Sequence, residues 1–475
     1  MFQFDINRMD VKKVHFIGIG GVSMSGIAEL LHAHGYEVTG SDIRENKYVK
    51  HLESIGIPVM IGQKAENISD QELFIYTDAI LPQNEELQAA IASRKPCVTR
   101  GQFLGALMRN YSRSIAVSGS HGKSTTTSMI ADILIHTEDA PTILLGGSLD
   151  DIGGNALSGE GDLFLAEACE YKGNIRYYYP HTAIILNIDE DHLDYYKNLE
   201  NIVEAFERYM ENIPEDGFAV INADDSNTQT LASHVKGRAI TYSTVSDAAD
   251  YYATDIHFDD LGHPTFTLHF PDGTIETYTL QIIGRFNINN AIAAIIATRE
   301  NGISMDAIRA GIENYRSLHR RMEYVGDFKG ARVLTDYGHH PVEIMATLGA
   351  LSEYNRTRLL CVFQPYTISR TKTLMDEFAR AFSDSDLAVV TAIQVAREID
   401  TGEVRSEQLV EKINENGDRA VYQETFQDVI DYLDTIVKPG DVILTTGCGD
   451  IDQLADRLAE LGRKEAPAFE SVAIN

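Results

Sequence analysis

Short apolar runs alternate with amphipathic stretches along the whole chain. Strand-like segments, apolar in at least half of their positions, fall at 14–17, 36–39, 114–117, 163–166, 183–188, 332–335, 359–363, 387–391 and 442–445. Uninterrupted apolar runs of strand length read as strands buried on both faces. Helical periodicity between them, clearest at 24–34 and 288–298, supplies the crossover helices that parallel strands require. The pattern predicts α/β architecture with mostly parallel sheets.

A length of 475 residues suggests about three domains at ~150 residues each. The rhythm of strands and helices divides accordingly into 1–110, 111–317 and 318–475, with the polar stretch 109–113 as a candidate linker. Hydrophobic residues make up 44% and charged residues 23%, ample for several packed cores. A formal charge of -31 repels nucleic-acid backbones and anionic membrane surfaces, so neither is an expected partner. Any phosphate must therefore be held by local backbone donors. The N-terminal residues form no apolar signal segment, and no run approaches ~20 apolar residues. Cys97, Cys169, Cys361 and Cys448 are scattered without a CxxC pair. A cytoplasmic protein, monomer or dimer, is expected.

Two glycine turns follow strands and open helices. In the first, Gly18, Gly20, Gly21, Val22 and Ser23 let backbone amides approach a diphosphate, and Asp42 ends the next strand, where an acid meets ribose hydroxyls. Ser23 stands where the dinucleotide pattern has its third glycine, so the turn suits a nucleotide diphosphate better than NAD specifically. A plain structural turn is the alternative. The second turn is Gly119, Ser120, His121, Gly122, Lys123, Ser124 and Thr125. Lysine reaches β- and γ-phosphates, the Ser124 hydroxyl can ligate Mg²⁺, and the amides cradle the phosphate chain. Val117 occupies the usual first glycine position, so this phosphate loop is a shortened variant.

Two strands end in acids. Glu167 follows 163–166, placed to hold Mg²⁺ beside the phosphate loop, with Glu170 either a second ligand or a solvated acid. His192 lies among Asp189, Glu190, Asp191 and Asp194 and could ligate a second metal; a solvated loop is the alternative for the acids.

These turns, together with Asn187 to Asp194, Asn287, Asn290, His319-Arg320-Arg321, Asp336 to Pro341 and Gln364-Pro365 with Ser369-Arg370-Thr371, resemble the Mur ligases over nearly the whole chain. Within that family the likeness is to the alanine-adding branch. The resemblance implies three domains: an N-terminal Rossmann-like domain for the UDP-sugar, a central P-loop ATPase-type domain and a C-terminal Rossmann-like α/β domain for the amino acid. It implies an ATP-dependent, ADP-forming ligase of peptidoglycan precursor synthesis, with UDP-N-acetylmuramate and L-alanine as substrates. By the same likeness Ser124 and Glu167 would bind one Mg²⁺ and His192 a second. Asn287 and Asn290 would lie near adenine, Asp336 near the ATP ribose, and Arg321 at the γ-phosphate. Tyr337, His339 and Arg370 would face the alanine, with His339 or water as base. The chain departs from the family at Phe286, usually histidine, and at Tyr366-Thr367-Ile368, usually His-Arg-Tyr. Gly447-Cys448-Gly449-Asp450 reads as a simple turn.

Three other functions fit part of the pattern. A muramyl-tripeptide ligase of wall recycling would share the motifs. An NAD-dependent dehydrogenase would use the first turn but leave Lys123, Glu167 and His192 without a task. A non-catalytic nucleotide-binding regulatory module would bind ATP without turnover.

Overall fold

The computed structural model describes residues 2–465 except 9, 260, 261, 353, 396, 397, 399, 401 and 418. The described residues form three sheets. The first is formed by β1 (Lys13–Ile17), β2 (Glu37–Asp42), β3 (Val59–Ile61), β4 (Leu73–Tyr76) and β5 (Cys97–Thr99), all parallel, in the order β3-β2-β1-β4-β5. The second has ten strands: β6 (Arg113–Ser118), β7 (Thr142–Leu149), β8 (Gly154–Leu157), β9 (Leu163–Glu167), β10 (Thr182–Ile185), β11 (Phe218–Asn222), β12 (Arg238–Ser243), β13 (Tyr251–Phe258), β14 (Pro264–His269) and β15 (Ile275–Thr279). Their order is β15-β14-β13-β12-β11-β10-β6-β9-β7-β8. The third comprises β16 (Glu323–Phe328), β17 (Ala331–Asp336), β18 (Leu359–Phe363), β19 (Leu387–Val390), β20 (Ala420–Tyr422) and β21 (Val442–Thr446), ordered β16-β17-β21-β18-β19-β20. Its β16–β17 pair is antiparallel, and the remaining neighbours are parallel.

The α/β class and parallel sheets are as the sequence pattern predicts. The chain forms two compact units. One holds residues 1–256, 266–279 and 288–315, and the other 257–265, 280–287 and 316–475. The first two sheets share a unit because helices at their edges pack tightly. In α1 (Val22–Ala33), Gly26 abuts Asn155 and Ala156 of β8. α2 (Lys47–Ser54) and α3 (Glu85–Ala92) flank the first sheet. In α4 (Arg100–Met108), a Cβ on Gly101 would meet Asn174 Oδ1 at 2.2 Å, and one on Gly105 would meet Tyr177 O at 1.8 Å. Glycine one helical turn apart thus lets α4 lie directly on the 171–177 segment.

One continuous core serves both sheets of this unit, from Val14, Phe16 and Leu30 through Leu104 and Leu107 to Phe164, Ile185 and Phe206. Each fully buried side chain of this size contributes roughly 1.5–3 kcal/mol. The expected linker at 109–113 is short and anchored: Asn110 Oδ1 accepts from Ile6 N at 2.8 Å, and its amide nitrogen donates to Phe4 O at 2.9 Å. Among the described residues no helix is long and apolar enough to cross a membrane.

Candidate active site

The first glycine turn is held by the end of β2. Gly18 and Ile19 both donate their amides to Ser41 O at 2.9 Å, and Gly20 N donates to Asp42 Oδ2 at 2.9 Å. Gly18 has φ +84°, and a Cβ there would lie 2.5 Å from Thr77 Cγ2, so both conformation and space demand glycine. Asn46 caps α2 and donates to Gly20 O at 3.1 Å. Asp42 therefore stands on the turn itself.

Helix α1 opens at Val22 with no side-chain cap. The same is true of α5 (Lys123–Leu134), whose N-cap is Gly122 at φ +83°. Asn46, Asn84 and Thr99, by contrast, cap α2, α3 and α4 through their side chains. The helices behind the two glycine turns keep first-turn amides available for an anion, and the helix dipole favours negative charge there.

The second turn is strapped to the segment after β10. Ser120 N donates to Asn187 O at 3.1 Å, His121 N to Asn187 Oδ1 at 2.7 Å, and Asp189 N to Ser120 Oγ at 2.8 Å. His121 Nε2 lies 3.2 Å from Asp189 Oδ2. Asp189 thus has a structural task rather than forming part of a solvated loop. Asn290 presses on the same turn: a Cβ at Gly122 would meet its Oδ1 at 2.6 Å.

Lys123 Nζ donates to Gly119 O, to Ser120 O at 3.0 Å and to Glu170 Oε1 at 3.1 Å. Burial opposes the charge on this lysine, but Glu170, Cys169 and Asp191 together outweigh it and hold the pKa above the usual lysine value. Glu170 is buried, not solvated, and its Oε2 has no hydrogen-bond donor among the described residues. His192 Nε2 lies 3.9 Å from Glu170 Oε1 and 3.5 Å from Asp191 Oδ2, with its ring against Tyr171. One ligand atom each from Glu170, Asp191 and His192 falls within 4.8 Å of the others. Carboxylate oxygens with one imidazole suit a hard divalent cation such as Mg²⁺ or Mn²⁺, and the undonated Glu170 Oε2 is an acceptor such an ion would satisfy.

Of the sequence-expected ligands, His192 joins this cluster and Ser124 lies in the first turn of α5. Glu167 has another partner: its Oε1 accepts from Gly146 N at 2.8 Å. Glu170, three residues on, is the acid beside Lys123.

Arg100 was not singled out by any motif. It opens α4, and its Nη1 donates to Ser23 Oγ at 3.3 Å. Burial works against its charge, and Tyr178, Cys169 and Asp78 around it more than compensate. Burial raises the Cys169 thiol pKa, and the charges of Lys123 and Arg100 both act to lower it.

The second unit gathers the C-terminal candidates. Asp336 ends β17, buried; its Oδ1 accepts from Met322 N at 3.0 Å and its Oδ2 from Gly338 N at 2.6 Å. Burial raises its pKa, partly offset by the Arg321 charge and the two amides. The Arg320 and Arg321 guanidinium carbons stand 4.9 and 5.1 Å from the Tyr337 ring centroid. Burial pushes the Tyr337 hydroxyl up to about 12. His339 Nδ1 lies 3.1 Å from Tyr337 O and 3.4 Å from Glu343. Arg320 donates to Gly447 O at 2.6 Å and Gly449 O at 2.9 Å, which makes it the clasp of that turn. Arg370 lies in the short helix Ile368–Thr373, capped by Thr367. Asn287 donates to Ile283 O at 2.7 Å.

Three family profiles match the chain in order: "Mur ligase family, catalytic domain" at 13–112, "Mur ligase middle domain" at 117–298 and "Mur ligase, glutamate ligase domain" at 320–449. The chain belongs to the Mur ligase family. Among curated Mur ligases, the UDP-N-acetylmuramate–L-alanine ligase of Acetivibrio thermocellus is 44% identical over 94% of this chain and 95% of its own. That of Caldanaerobacter subterraneus is 39% identical over 97% of this chain and 100% of its own. Among solved Mur ligases, the UDP-N-acetylmuramate-alanine ligase of Thermotoga maritima superposes with TM-score 0.80 at 27% identity, covering 95% of this chain and 99% of that one. A murein peptide ligase from Psychrobacter arcticus gives TM-score 0.70 at 25% identity, with 94% and 98% covered.

Proposed function

We propose that this Mur ligase joins L-alanine to the carboxylate of UDP-N-acetylmuramate, with ATP cleaved to ADP and phosphate, in peptidoglycan precursor synthesis. Its full-length relatives at 39–44% identity carry that activity in their names. The observation that carries the chemistry is the convergence of Lys123, Glu170 and His192 under an uncapped helix N-terminus.

A carboxylate does not condense with an ammonium in water, because it is a poor electrophile. The lactyl carboxylate oxygen attacks the γ-phosphorus of ATP, the bond to the β-phosphate oxygen breaks, and ADP leaves. The alanine amine, having lost a proton, attacks the acyl carbon, and phosphate departs with the C–O electron pair.

The turn 119–125 holds the triphosphate through its amides, and Lys123 neutralises charge on the transferring phosphoryl group, a task the family likeness also gives to Arg321. Mg²⁺, held by Glu170, Asp191 and His192 with Ser124 and Glu167 as further candidates, would supply positive charge to the phosphate oxygens. Asn290 and Asn287 serve adenine, and Asp336 the ribose. The turn 18–23 and Asp42 hold the UDP-sugar. Tyr337, His339 and Arg370 receive alanine, with His339 or solvent taking the amine proton. The protein works in the cytoplasm, as monomer or dimer.

Phosphate release with ATP, UDP-N-acetylmuramate and L-alanine, omitting each in turn, tests the reading. Turnover is expected only with all three. Turnover with a muramyl tripeptide but not alanine would favour a recycling ligase, and ATP binding without turnover a regulatory module.

A further inference from the structure

Beneath the first glycine turn lies a buried polar cluster that the reaction itself does not touch. Glu86 of α3 is fully buried. Its Oε1 accepts from Asn67 Nδ2 at 3.0 Å and meets His15 Nε2 at 2.9 Å, and its Oε2 accepts from the Ser41 hydroxyl at 2.5 Å. His15 Nδ1 in turn meets Thr39 Oγ1 at 2.8 Å. His15 and Ser41 are also fully buried.

Such a cluster is a poor device for stability alone, since well-packed apolar residues of the same volume commonly do as well as a buried ion pair. Its geometry indicates what it orients. Ser41 is the residue whose carbonyl takes the amides of both Gly18 and Ile19, and the next residue, Asp42, takes that of Gly20. Three successive amides of the turn are thus held by Ser41 and Asp42. Glu86 fixes the Ser41 side chain from below. Asn67, also bound to Glu86, donates to Gly62 O at 2.9 Å, and Gly62 N donates to Asp42 O at 2.7 Å. One carboxylate therefore braces Ser41 directly and Asp42 through the 62–67 loop.

We infer that Glu86 is a positioning residue for the nucleotide-sugar: with Ser41, Asn67 and His15 it holds the first glycine turn in the shape that receives the diphosphate. The inference rests on the proposed UDP-sugar reading of that turn. A carboxylate that only filled the core would affect folding stability and leave substrate affinities alone.

The test uses the full-length protein as wild type, Glu86→Gln and Ser41→Ala. Glutamine keeps the volume of Glu86 but presents a donor where the carboxylate accepted. In Glu86→Gln the KM for UDP-N-acetylmuramate is expected to rise about tenfold or more, the loss of hydrogen bonds to a charged group. KM for ATP and for L-alanine should stay within about twofold, and kcat within about threefold. Ser41→Ala should move the same constant in the same direction by less, and it decides the matter alone if Glu86→Gln does not fold. A lowered melting temperature with an unchanged KM for the UDP-sugar would overturn the inference, as would an equal rise in all three constants. Wild type that does not consume UDP-N-acetylmuramate at all would remove the functional reading, and this inference with it, whatever the variants do.

Discussion

Lys123 Nζ lies 3.1 Å from Glu170 Oε1, and the same carboxylate oxygen lies 3.9 Å from His192 Nε2. The phosphate-loop lysine and the candidate metal cluster therefore share one buried acid. On the proposed reading, an incoming triphosphate makes Lys123 exchange turn carbonyls for phosphate oxygens while Glu170 keeps its charge in place.

Glu170→Gln should then do two things. It leaves the buried Lys123 ammonium without its anionic partner and removes a candidate metal ligand. The expected outcome is a fall in kcat of about 10²–10³-fold and a rise of about tenfold or more in the Mg²⁺ concentration for half-maximal rate. A Mg²⁺ titration of the initial rate checks both, and an unchanged half-activating concentration would place the metal elsewhere.

The two glycine turns were legible in the sequence because their glycines and the residues facing a phosphate are consecutive and follow a strand. The acid that serves Lys123 was not. Position at the strand end favours Glu167 over Glu170, whereas in the fold Glu167 accepts from the Gly146 amide and Glu170 meets Lys123. Arg100 and Glu86 carry no motif because their partners are distant in sequence: Ser23 is 77 residues from Arg100, and Ser41 is 45 from Glu86. The β7–β8 pair escaped the apolar-run search because it is an antiparallel ribbon with glycines at 146 and 154.

Arg100 donates to Ser23 of the first turn, and on the proposed reading of that turn it serves the UDP-sugar. Arg100→Met should raise the KM for UDP-N-acetylmuramate about 30- to 100-fold, with Arg100→Lys recovering part of it, since a single lysine donor cannot reproduce the guanidinium fork. Steady-state kinetics with ATP and alanine saturating reads the effect.

Gly105→Ala addresses the seam between α4 and the 171–177 segment. Its Cβ would fall 1.8 Å from Tyr177 O, a backbone atom that cannot rotate away. The seam must open, at about 1–3 kcal/mol or more. Urea unfolding should show the loss as a lower midpoint, and an unchanged midpoint would mean that the helix is free to shift.

All four thiols are raised by burial, Cys97 and Cys448 to about 11. A raised thiol pKa means less thiolate at a given pH, so alkylation of Cys97 and Cys448 at pH 8 should run roughly a hundredfold slower than for a free cysteine. For Cys97 and Cys448 the rate should keep climbing through pH 10. Iodoacetamide labelling read by peptide mass spectrometry measures it, and a rate that levels off near pH 8.5 would contradict the burial argument.

The central claim is that the turn at 119–125 grips a triphosphate whose terminal phosphoryl group activates a sugar-linked carboxylate. The most direct measurement is the rate of UDP-N-acetylmuramoyl-alanine formation by Lys123→Met, in protein shown by circular dichroism to be folded. The account predicts a loss of at least about a thousandfold. Amide formation at the wild-type rate would contradict it.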